Sequence, residues 1–346
     1  MILNRATRLL ATRWARTRFD PADFGLVPSA LLDPSSAGPA QDPDPRAERD
    51  AVVGAAYDGE WRTVAAYVRA AGDDPDERWN RLELLTRVAG NDDRWLTDWR
   101  TAEPADGDAG TVHALLLVRR AWAVRGSAYA RDVPTEDMRS FEAQLPAAMA
   151  AAQRAADLAP EHPGPWVVMI MAARAMSYGH SQFADLWRNL TLRAPHHYGG
   201  HLQALQYWCA KWHGSPQLMT EFAERAVRDA PDGSPLPGVY LHALDEGRGA
   251  SGPRSERNRA VLIEVARRLD TVPAGTGSSD RLRHRLAHHL GEAGLHGAAL
   301  EQFRRIGPYC GATPWDGDPA GPVAAFDLAR GLAAHGSRKD RDPARG

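Results

Sequence analysis

A repeat of about 35 residues constrains the fold of this chain more than any other feature. Three segments, Asp157–Pro160, Leu192–Pro195 and Arg228–Pro231, each close a helix-like stretch, and their prolines are 35 and 36 residues apart. A period in this range is typical of helical repeat proteins, in which each unit holds two helices and their turns. The sequence therefore predicts an all-α architecture of stacked antiparallel helical hairpins.

Composition and charge agree with this prediction. The chain is 43% hydrophobic and rich in good helix formers such as Ala, Leu, Arg and Glu. Its 42 basic side chains nearly balance 44 acidic ones, so no global field attracts nucleic acid, and we expect no nucleic-acid partner. Cys209 and Cys310 lack a paired spacing, which argues against a disulfide framework and favours a cytoplasmic protein. No apolar stretch is long enough to predict a transmembrane segment.

Proline, glycine and charge patterns divide the chain into five segments. Residues 1–45 are predicted to be a basic, largely irregular segment and a Pro-rich linker. Five arginines precede the first acid in this segment, and contact with a membrane surface is the alternative interpretation of them. Those arginines are Arg5, Arg8, Arg13, Arg16 and Arg18. The other predicted segments are a main helical-repeat domain at 46–246, a flexible linker with one helix at 247–279, a C-terminal hairpin with a capping helix at 280–334, and a disordered tail at 335–346.

Apolar residues at helical spacing, interrupted by Gly, Pro and Asp, run through most of the chain. No stretch shows the alternation that is typical of a strand. Adjacent helices joined by these short breaks are expected to form αα-hairpins. The predicted helices span 47–57, 60–71, 76–89, 92–101, 111–125, 137–158, 164–177, 182–193, 199–212, 216–229, 256–270, 280–293, 297–306 and 321–334.

The segment from Gly294 to Phe303 resembles the inter-helix turn and second helix of a tetratricopeptide repeat (TPR), whose pattern includes an alanine four residues before an aromatic. Ala299 and Phe303 match that spacing. Further matches are Trp187 eight residues before Pro195, the turn, packing and terminating residues Gly214, Ala226 and Pro231, and Gly59 at the start of another second helix. The resemblance covers mainly residues 160–231 and 280–306, and it implies a TPR-like α-solenoid with irregular repeats.

Two departures from the TPR pattern qualify this resemblance. The Trp-x₂-Leu-Gly-x₂-Tyr signature of the first helix is missing from every unit, and the unit that ends at Pro160 has an insertion and contains Pro146. The stretches 120–126 and 208–212 also resemble those of uncharacterised bacterial TPR-like proteins. That resemblance implies no activity.

Arginines on apolar helices are the first candidate binding groups. Arg174 is the one charge in a stretch that is apolar nearly all round, and a buried charge needs a partner or a cavity. Arg119 and Arg120 lie on a helix otherwise rich in Ala, Leu and Val. If the three line a concave face, their guanidinium groups can grip a carboxylate terminus or an acidic peptide. The alternative is internal ion pairing with acids such as Asp185 or Glu221.

A second candidate is the stretch from 196 to 213, which is rich in histidine and aromatic residues. A helical wheel places an apolar stripe along it, which indicates core packing first. Polar and aromatic side chains at the edge of this stripe are predicted to border a ligand groove. Together with the arginines, the predicted groove residues are Arg119, Arg120, Arg174, His201, Trp208 and Lys211.

Histidines four residues apart offer alternatives for a metal site. Two glycines separate His197 from His201, which disfavours a preformed helical pair. His284 and His288 have better geometry on a predicted helix, but no third ligand is evident and arginines surround them. The Asp316–Gly321 loop lacks one of the ligands that a calcium loop requires. We therefore predict no metal and no other cofactor.

The sequence contains no phosphate-binding loop and no nucleophile elbow, so an enzyme is not predicted. The expected function is that of a non-enzymatic scaffold or adaptor, which binds an unknown protein or peptide through the concave face of a TPR-like solenoid. Two alternatives remain. One is a helical metal- or small-ligand-dependent sensor or enzyme that uses the His, Trp and Arg-rich region, and the other is a structural self-assembly module.

Overall fold

A computed structural model describes residues 19–40, 45–125, 134–247, 252–273 and 277–341. Over these ranges the chain forms fifteen α-helices and two short 3₁₀-helices, Pro21–Phe24 and Ser29–Leu31. Within the same ranges the extended structure is limited to an isolated bridge between Asp33 and Tyr309. The predicted all-α class is confirmed. The five N-terminal arginines, and the predicted tail from residue 342 onward, lie outside the described residues.

Contacts between helices divide the chain into two compact units. The central unit spans Asp42–Met219, and the second unit joins Met1–Gln41 to Thr220–Gly346. This division falls inside a helix, earlier than the boundary predicted after residue 246. Residues 19–40, from the predicted basic segment and Pro-rich linker, belong to the second unit.

Nine helices and the start of a tenth make up the central unit. They are α1 (Pro45–Tyr57), α2 (Trp61–Arg69), α3 (Pro75–Asn91), α4 (Arg94–Ala102), α5 (Gly107–Arg125), α6 (Thr135–Leu158), α7 (Gly164–Ala175), α8 (His180–Arg193), α9 (Tyr198–Tyr207) and α10 (Pro216–Asp229).

The helices of the central unit pack against their neighbours in sequence and against the next helix but one. In this way α5 contacts α3, α4, α6 and α7, and α7 contacts α5, α6, α8 and α9. Nearly every residue of α7 is buried, as its apolar sequence predicts.

Helix α9 also packs against α3, which lies six helices earlier in the chain. The Tyr198 backbone N–H donates to Asp76 Oδ1 at 2.7 Å. Gly199 makes this approach possible, since a Cβ atom there would lie 2.6 Å from the ring of Trp79. The glycines that appeared to weaken a helix at this point are therefore inside one, because the packing needs their small size.

The second unit consists of the remainder of α10 and five further helices, against which residues 19–40 lie. The helices are α11 (Gly238–Glu246), α12 (Glu256–Leu269), α13 (Gly277–Glu292), α14 (His296–Ile306) and α15 (Pro322–Arg341). A bundle of α13, α14 and α15 forms most of its packing, and α11 and α12 contact α13. The buried Ala299 and Phe303 lie in this bundle, where the TPR pattern predicts packing residues.

Three helix predictions require correction. Helix α11 is not predicted from the sequence, because prolines precede it, glycine follows it and its sequence is short. Helix α9 ends at Tyr207 rather than at 212, since the chain folds back there and Gly214 lies against the backbone of Trp208. Helix α15 continues to Arg341, through the first part of the predicted disordered tail. Among the described helices, none combines the length and the apolar character that a membrane crossing requires.

Candidate functional site

Arg119 and Arg120, two of the predicted groove residues, each lie in an ion pair. The Arg119 guanidinium is 3.3 Å from Glu83 of α3, and the Arg120 guanidinium is 2.8 Å from Asp93. The internal ion pairing considered from the sequence therefore occurs, but with acids of the preceding helices. Of the acids named there, Asp185 pairs with Arg188 instead.

Arg174 is buried, with 9% of its surface exposed, and its guanidinium lies beside two indole rings that contact each other edge-on. Its Cζ atom is 5.2 Å from the ring centre of Trp122 and 5.4 Å from that of Trp212. Such contacts stabilise a buried cation through the negative faces of the rings. Gln203 accepts a 3.4 Å hydrogen bond from Arg174. Arg174 thus joins α7 to α9 and to the turn that follows α9.

The other three predicted groove residues do not share one surface. His201 is buried, its Nδ1 lies 2.9 Å from the His197 carbonyl oxygen, and its ring packs edge-on against Trp187. Trp208 packs against His180 and Phe183. Lys211 is exposed in the turn after α9 rather than on the helix. The groove remains a prediction, and the structure gives most of its members packing or ion-pair roles.

A different feature of the central unit has the form of a binding site. It is an open cleft of about 570 Å³ at the ends of several helices. Charged side chains dominate its walls. The residues that line it are Arg69, Gly72, Asp73, Asp74, Pro75, Arg78, Asp106, Gly107, Asp108, Ala159, Pro160, Glu161, His162, Pro163 and Arg193.

Three inter-helix turns and the last residue of α8 build this cleft. The turns precede α3, α5 and α7, so the amino-terminal ends of these three helices meet at the same space. Each end carries a side-chain acceptor for its unpaired N–H groups, as helix starts require. Asp74 accepts from Asp76 and Glu77 at 3.0 Å, Asp106 accepts from Ala109 at 2.9 Å, and His162 accepts from Gly164 at 2.9 Å.

A buried pair, Asp108 and His162, forms the floor of the cleft. The His162 Nε2 atom is 2.8 Å from Asp108 Oδ1, and both side chains are almost completely buried. Because Nδ1 accepts the Gly164 N–H, the proton of the neutral ring lies on Nε2, which donates to Asp108. Both ring nitrogens are therefore engaged. The pair holds the turn in place and leaves His162 no free nitrogen to act as a base.

Arg78 projects from the first turn of α3 beside this pair. Its Nε is 3.3 Å from Asp108 Oδ1, and 30% of its side-chain surface is exposed. The terminal nitrogens of Arg78 make no hydrogen bond to any residue in the described ranges. The other two arginines are engaged, because Arg69 pairs with Glu103 and Asp106 while Arg193 donates to the carbonyls of Pro160 and Asn189.

The rim of the cleft carries acidic groups, and two exposed leucines are next to lining residues in the sequence. Asp73 and Glu161 are exposed, and neither has an ion pair or hydrogen bond with the described part of the chain. Leu158 and Leu192 are exposed over 49% and 75% of their surface, and each immediately precedes a residue that lines the cleft. Exposed leucines beside unpaired charges are typical of a protein interaction surface.

The predicted metal alternatives are not supported over the described residues, where no group of three or more His, Cys, Asp or Glu side chains could hold an ion. His284 uses both ring nitrogens, since Trp315 donates to Nδ1 at 2.9 Å and Nε2 lies 2.9 Å from the Ala37 carbonyl oxygen. In the loop after Trp315, Asp318 caps the Ala320 N–H at 2.8 Å. These contacts explain both motifs as structural.

Sequence reasoning missed His162, and it treated His197 only as a metal candidate. Each stands two residues after a repeat proline, Pro160 or Pro195. Like His162, His197 accepts an N–H of the following helix, here that of Gly200 at 3.0 Å. Burial lowers the pKa of His197 to about 3, so its ring is neutral and able to accept. A histidine that recurs after the repeat proline was the signal available in the sequence.

Over the described residues the fold and the cleft together define an all-α protein with a charged cleft in its central unit. Comparison with protein-family models, with curated proteins and with solved structures finds no match. The function is therefore argued from the geometry of this cleft.

Proposed function

We propose that this protein is a TPR-like helical-repeat scaffold that binds a segment of a partner protein in the charged cleft of its central unit. The observation that carries the proposal is the cleft itself, which is lined by charged side chains, three of which keep charged atoms without a partner among the described residues. Protein interfaces combine an apolar centre with a polar rim, and the exposed Leu158 and Leu192 each precede a lining residue in the sequence. An open cleft of about 570 Å³ has room for an extended segment.

Recurrent turns support the repeat part of this proposal. The hairpins α1–α2 and α13–α14 turn at Gly59 and Gly294, both in the left-handed conformation. Each turn has the same two hydrogen bonds, from the glycine to the residue three before it and from the next residue to the one five before it. This is the Schellman motif. Ser177, also left-handed, occupies the corresponding position between α7 and α8, where Tyr178 N–H donates to the Ala173 carbonyl at 3.0 Å.

The chemistry of the cleft favours binding over catalysis. Its one histidine has both nitrogens hydrogen-bonded within the fold, and two of its arginines are held by the protein. Groups so engaged orient neighbours rather than transfer protons. We place the protein in the cytoplasm, and its two free cysteines support a reducing compartment.

Affinity capture of the tagged full chain from its native cell, followed by mass spectrometry, tests this function. The test variant replaces the two exposed leucines that precede lining residues of the cleft, Leu158→Glu with Leu192→Glu. Leu31→Glu is the matched control, because Leu31 is 64% exposed and belongs to the second unit. We expect one partner whose recovery with the double variant falls about tenfold and is unchanged with the control. Equal recovery with all three proteins would overturn the role of the cleft. A defined homo-oligomer without any captured partner would favour the self-assembly alternative.

A further inference from the structure

Resting on the proposed function, we infer that the cleft selects a mixed-charge peptide segment, whose carboxylate binds Arg78 and whose basic side chain binds between Asp73 and Glu161. The inference names the chemistry of the partner segment. It follows from a comparison of the charged side chains of the cleft, because some are paired within the protein and others have no partner among the described residues.

Arg78 is positioned to receive a carboxylate. Its Nε side faces the buried Asp108 at 3.3 Å, and His162 in turn fixes the Asp108 carboxylate at 2.8 Å. A guanidinium has five donors in a rigid plane, and the two terminal nitrogens of Arg78 have no hydrogen-bond partner among the described residues. These two nitrogens form the fork that binds both oxygens of a carboxylate.

The cation site is formed by two acidic side chains of the same cleft. Asp73 lies in the turn before α3 and Glu161 in the turn before α7, and both line the same cleft. Neither carboxylate is neutralised by a described residue. By contrast, Asp106 is paired with Arg69 at 2.7 Å, and Asp108 is paired with His162 and Arg78. A lysine or arginine of the partner would complete the charge balance of the rim.

The overall charge of the cleft excludes a strongly anionic ligand. Five carboxylates line it against three guanidinium groups. A phosphate dianion on Arg78 would lie in this acidic environment and be repelled, whereas a single carboxylate followed by a basic residue satisfies both ends. Mixed charge, rather than negative charge alone, is therefore the property that the cleft recognises.

Fluorescence polarisation with the purified full chain tests the inference. The probes are four labelled ten-residue peptides on a Leu, Gly and Ser background, carrying alternating Lys and Asp, Asp alone, Lys alone, or no charge, and inorganic phosphate serves as a competitor. We expect the mixed-charge peptide to bind at least about tenfold more tightly than the others, and phosphate at millimolar concentration to leave that binding unchanged. Preference for the all-Asp peptide, or displacement by phosphate, would overturn the inference.

Two variants test the carboxylate site and the cation site separately. Arg78→Gln removes the fork and should weaken the mixed-charge peptide about tenfold. Asp73→Lys with Glu161→Lys should transfer preference to the all-Asp peptide. Arg188→Ala is the matched control, because this exposed arginine lies on α8 and pairs only with Asp185 within the described residues. Far-ultraviolet circular dichroism confirms that each variant is folded.

The two experiments can fail independently. If capture depends on Leu158 and Leu192 while no charged peptide is preferred, the scaffold function stands and the mixed-charge inference is wrong. If the mixed-charge peptide binds and Arg78→Gln weakens it, the inference stands even when capture recovers no partner. Unchanged peptide binding in Arg78→Gln would overturn the assignment of the carboxylate to that residue.

Discussion

A single backbone conformation recurs at the turns of three hairpins. Gly59, Gly294 and Ser177 all have positive φ, at 80°, 73° and 57°. Glycine adopts this left-handed conformation without penalty, whereas any residue with a Cβ atom pays for it. The exposed Ser177 therefore carries local strain that the other two turns avoid.

Ser177→Gly is expected to stabilise the protein by about 0.5 to 1 kcal/mol, because it removes the steric cost of a left-handed serine and loses no packing. Urea unfolding measured by circular dichroism checks this through the midpoint concentration. Ser177→Ala is the control, since alanine keeps the Cβ atom and the strain. A lower midpoint for the glycine variant would show that the serine hydroxyl makes a contribution larger than the strain.

The ionised carboxylate of Asp76 destabilises the folded protein. Burial raises the pKa of its carboxyl to about 6, although 32% of the side chain remains exposed, and the backbone N–H of Tyr198 only partly offsets this. The folded state thus holds a proton that the unfolded chain releases near pH 4. The contribution of Asp76 to the free energy of unfolding therefore decreases as the pH rises from about 4 to about 6.

Asp76→Asn should stabilise the protein at pH 7.5 by about 1 kcal/mol, a value discounted for the exposed part of the side chain. Asparagine retains an oxygen that accepts the Tyr198 N–H, and it carries no charge to bury. Thermal unfolding at pH 7.5 and pH 4 measures the effect, which should disappear at the lower pH. A loss of stability of equal size at both values would mean that the ionised carboxylate holds α9 against α3.

At the scale of elements, local patterns located nearly all the helices but gave no sign of what the N-terminal segment contacts. Helix periodicity and turn residues are local, so the sequence reveals them directly. The partners of residues 19–40 lie far along the chain. Arg304 donates to the Phe24 carbonyl at 2.9 Å across 280 residues, and Arg330 donates to the Val27 carbonyl at 2.7 Å across 303 residues. Because the residues that hold this Pro-rich stretch in place lie so far along the chain, its own sequence looks like that of a linker.

Arg330 is the principal anchor of this segment. Only 1% of its surface is exposed, and it contacts Asp327, the Val27 carbonyl and the Ser29 hydroxyl. Arg330→Leu should cost about 3 kcal/mol, because removing it leaves buried acceptors without a donor. Hydrogen exchange read by mass spectrometry should show faster exchange over residues 19–40.

Arg338→Leu is the matched control for this prediction, since Arg338 lies on the same helix and pairs with Asp23 of the same segment at 3.0 Å. Both side chains of that pair are about half exposed, and such pairs contribute less than about 1 kcal/mol. Equal effects of the two variants would contradict the role given to Arg330.

At the scale of the whole molecule, the cleft shows why a site can be invisible in sequence. Its turns consist of Gly, Asp, Pro and Glu, which any surface turn contains. Only the packing of distant helices brings Asp73, Arg78 and Glu161 to one space. The predicted arginine groove shows the opposite case, because its arginines stand out in the sequence. In the structure Arg119 pairs with Glu83 of α3, Arg120 pairs with Asp93 in the turn after it, and Arg174 packs against two tryptophans. The sequence shows that a residue is unusual for its surroundings, but only the three-dimensional contacts show whether its side chain is available to bind a ligand.

Buried histidines give the molecule a predictable dependence on pH. Burial is the main cause that lowers the pKa of six of them. The pKa of His197 falls to about 3, and that of His284 is also lowered. The pKa falls to about 4 for four others, which are His113, His242, His288 and His289. These rings are neutral in the folded protein at pH 7, whereas the unfolded chain binds protons near pH 6.5.

Because the unfolded state binds more protons below about pH 6.5, the free energy of unfolding should decrease as the pH falls from 7 toward 4. Summed over these histidines the loss at pH 5 is on the order of several kcal/mol, which corresponds to a melting temperature lower by roughly 10 °C or more. Circular dichroism melting at pH 7.5, 6 and 5 measures it. His288→Gln should reduce the slope, since glutamine does not titrate, and Asp76→Asn should steepen it, since Asp76 acts in the opposite sense over part of this range. A melting temperature that stays constant from pH 7.5 to pH 5 would contradict the burial of these rings.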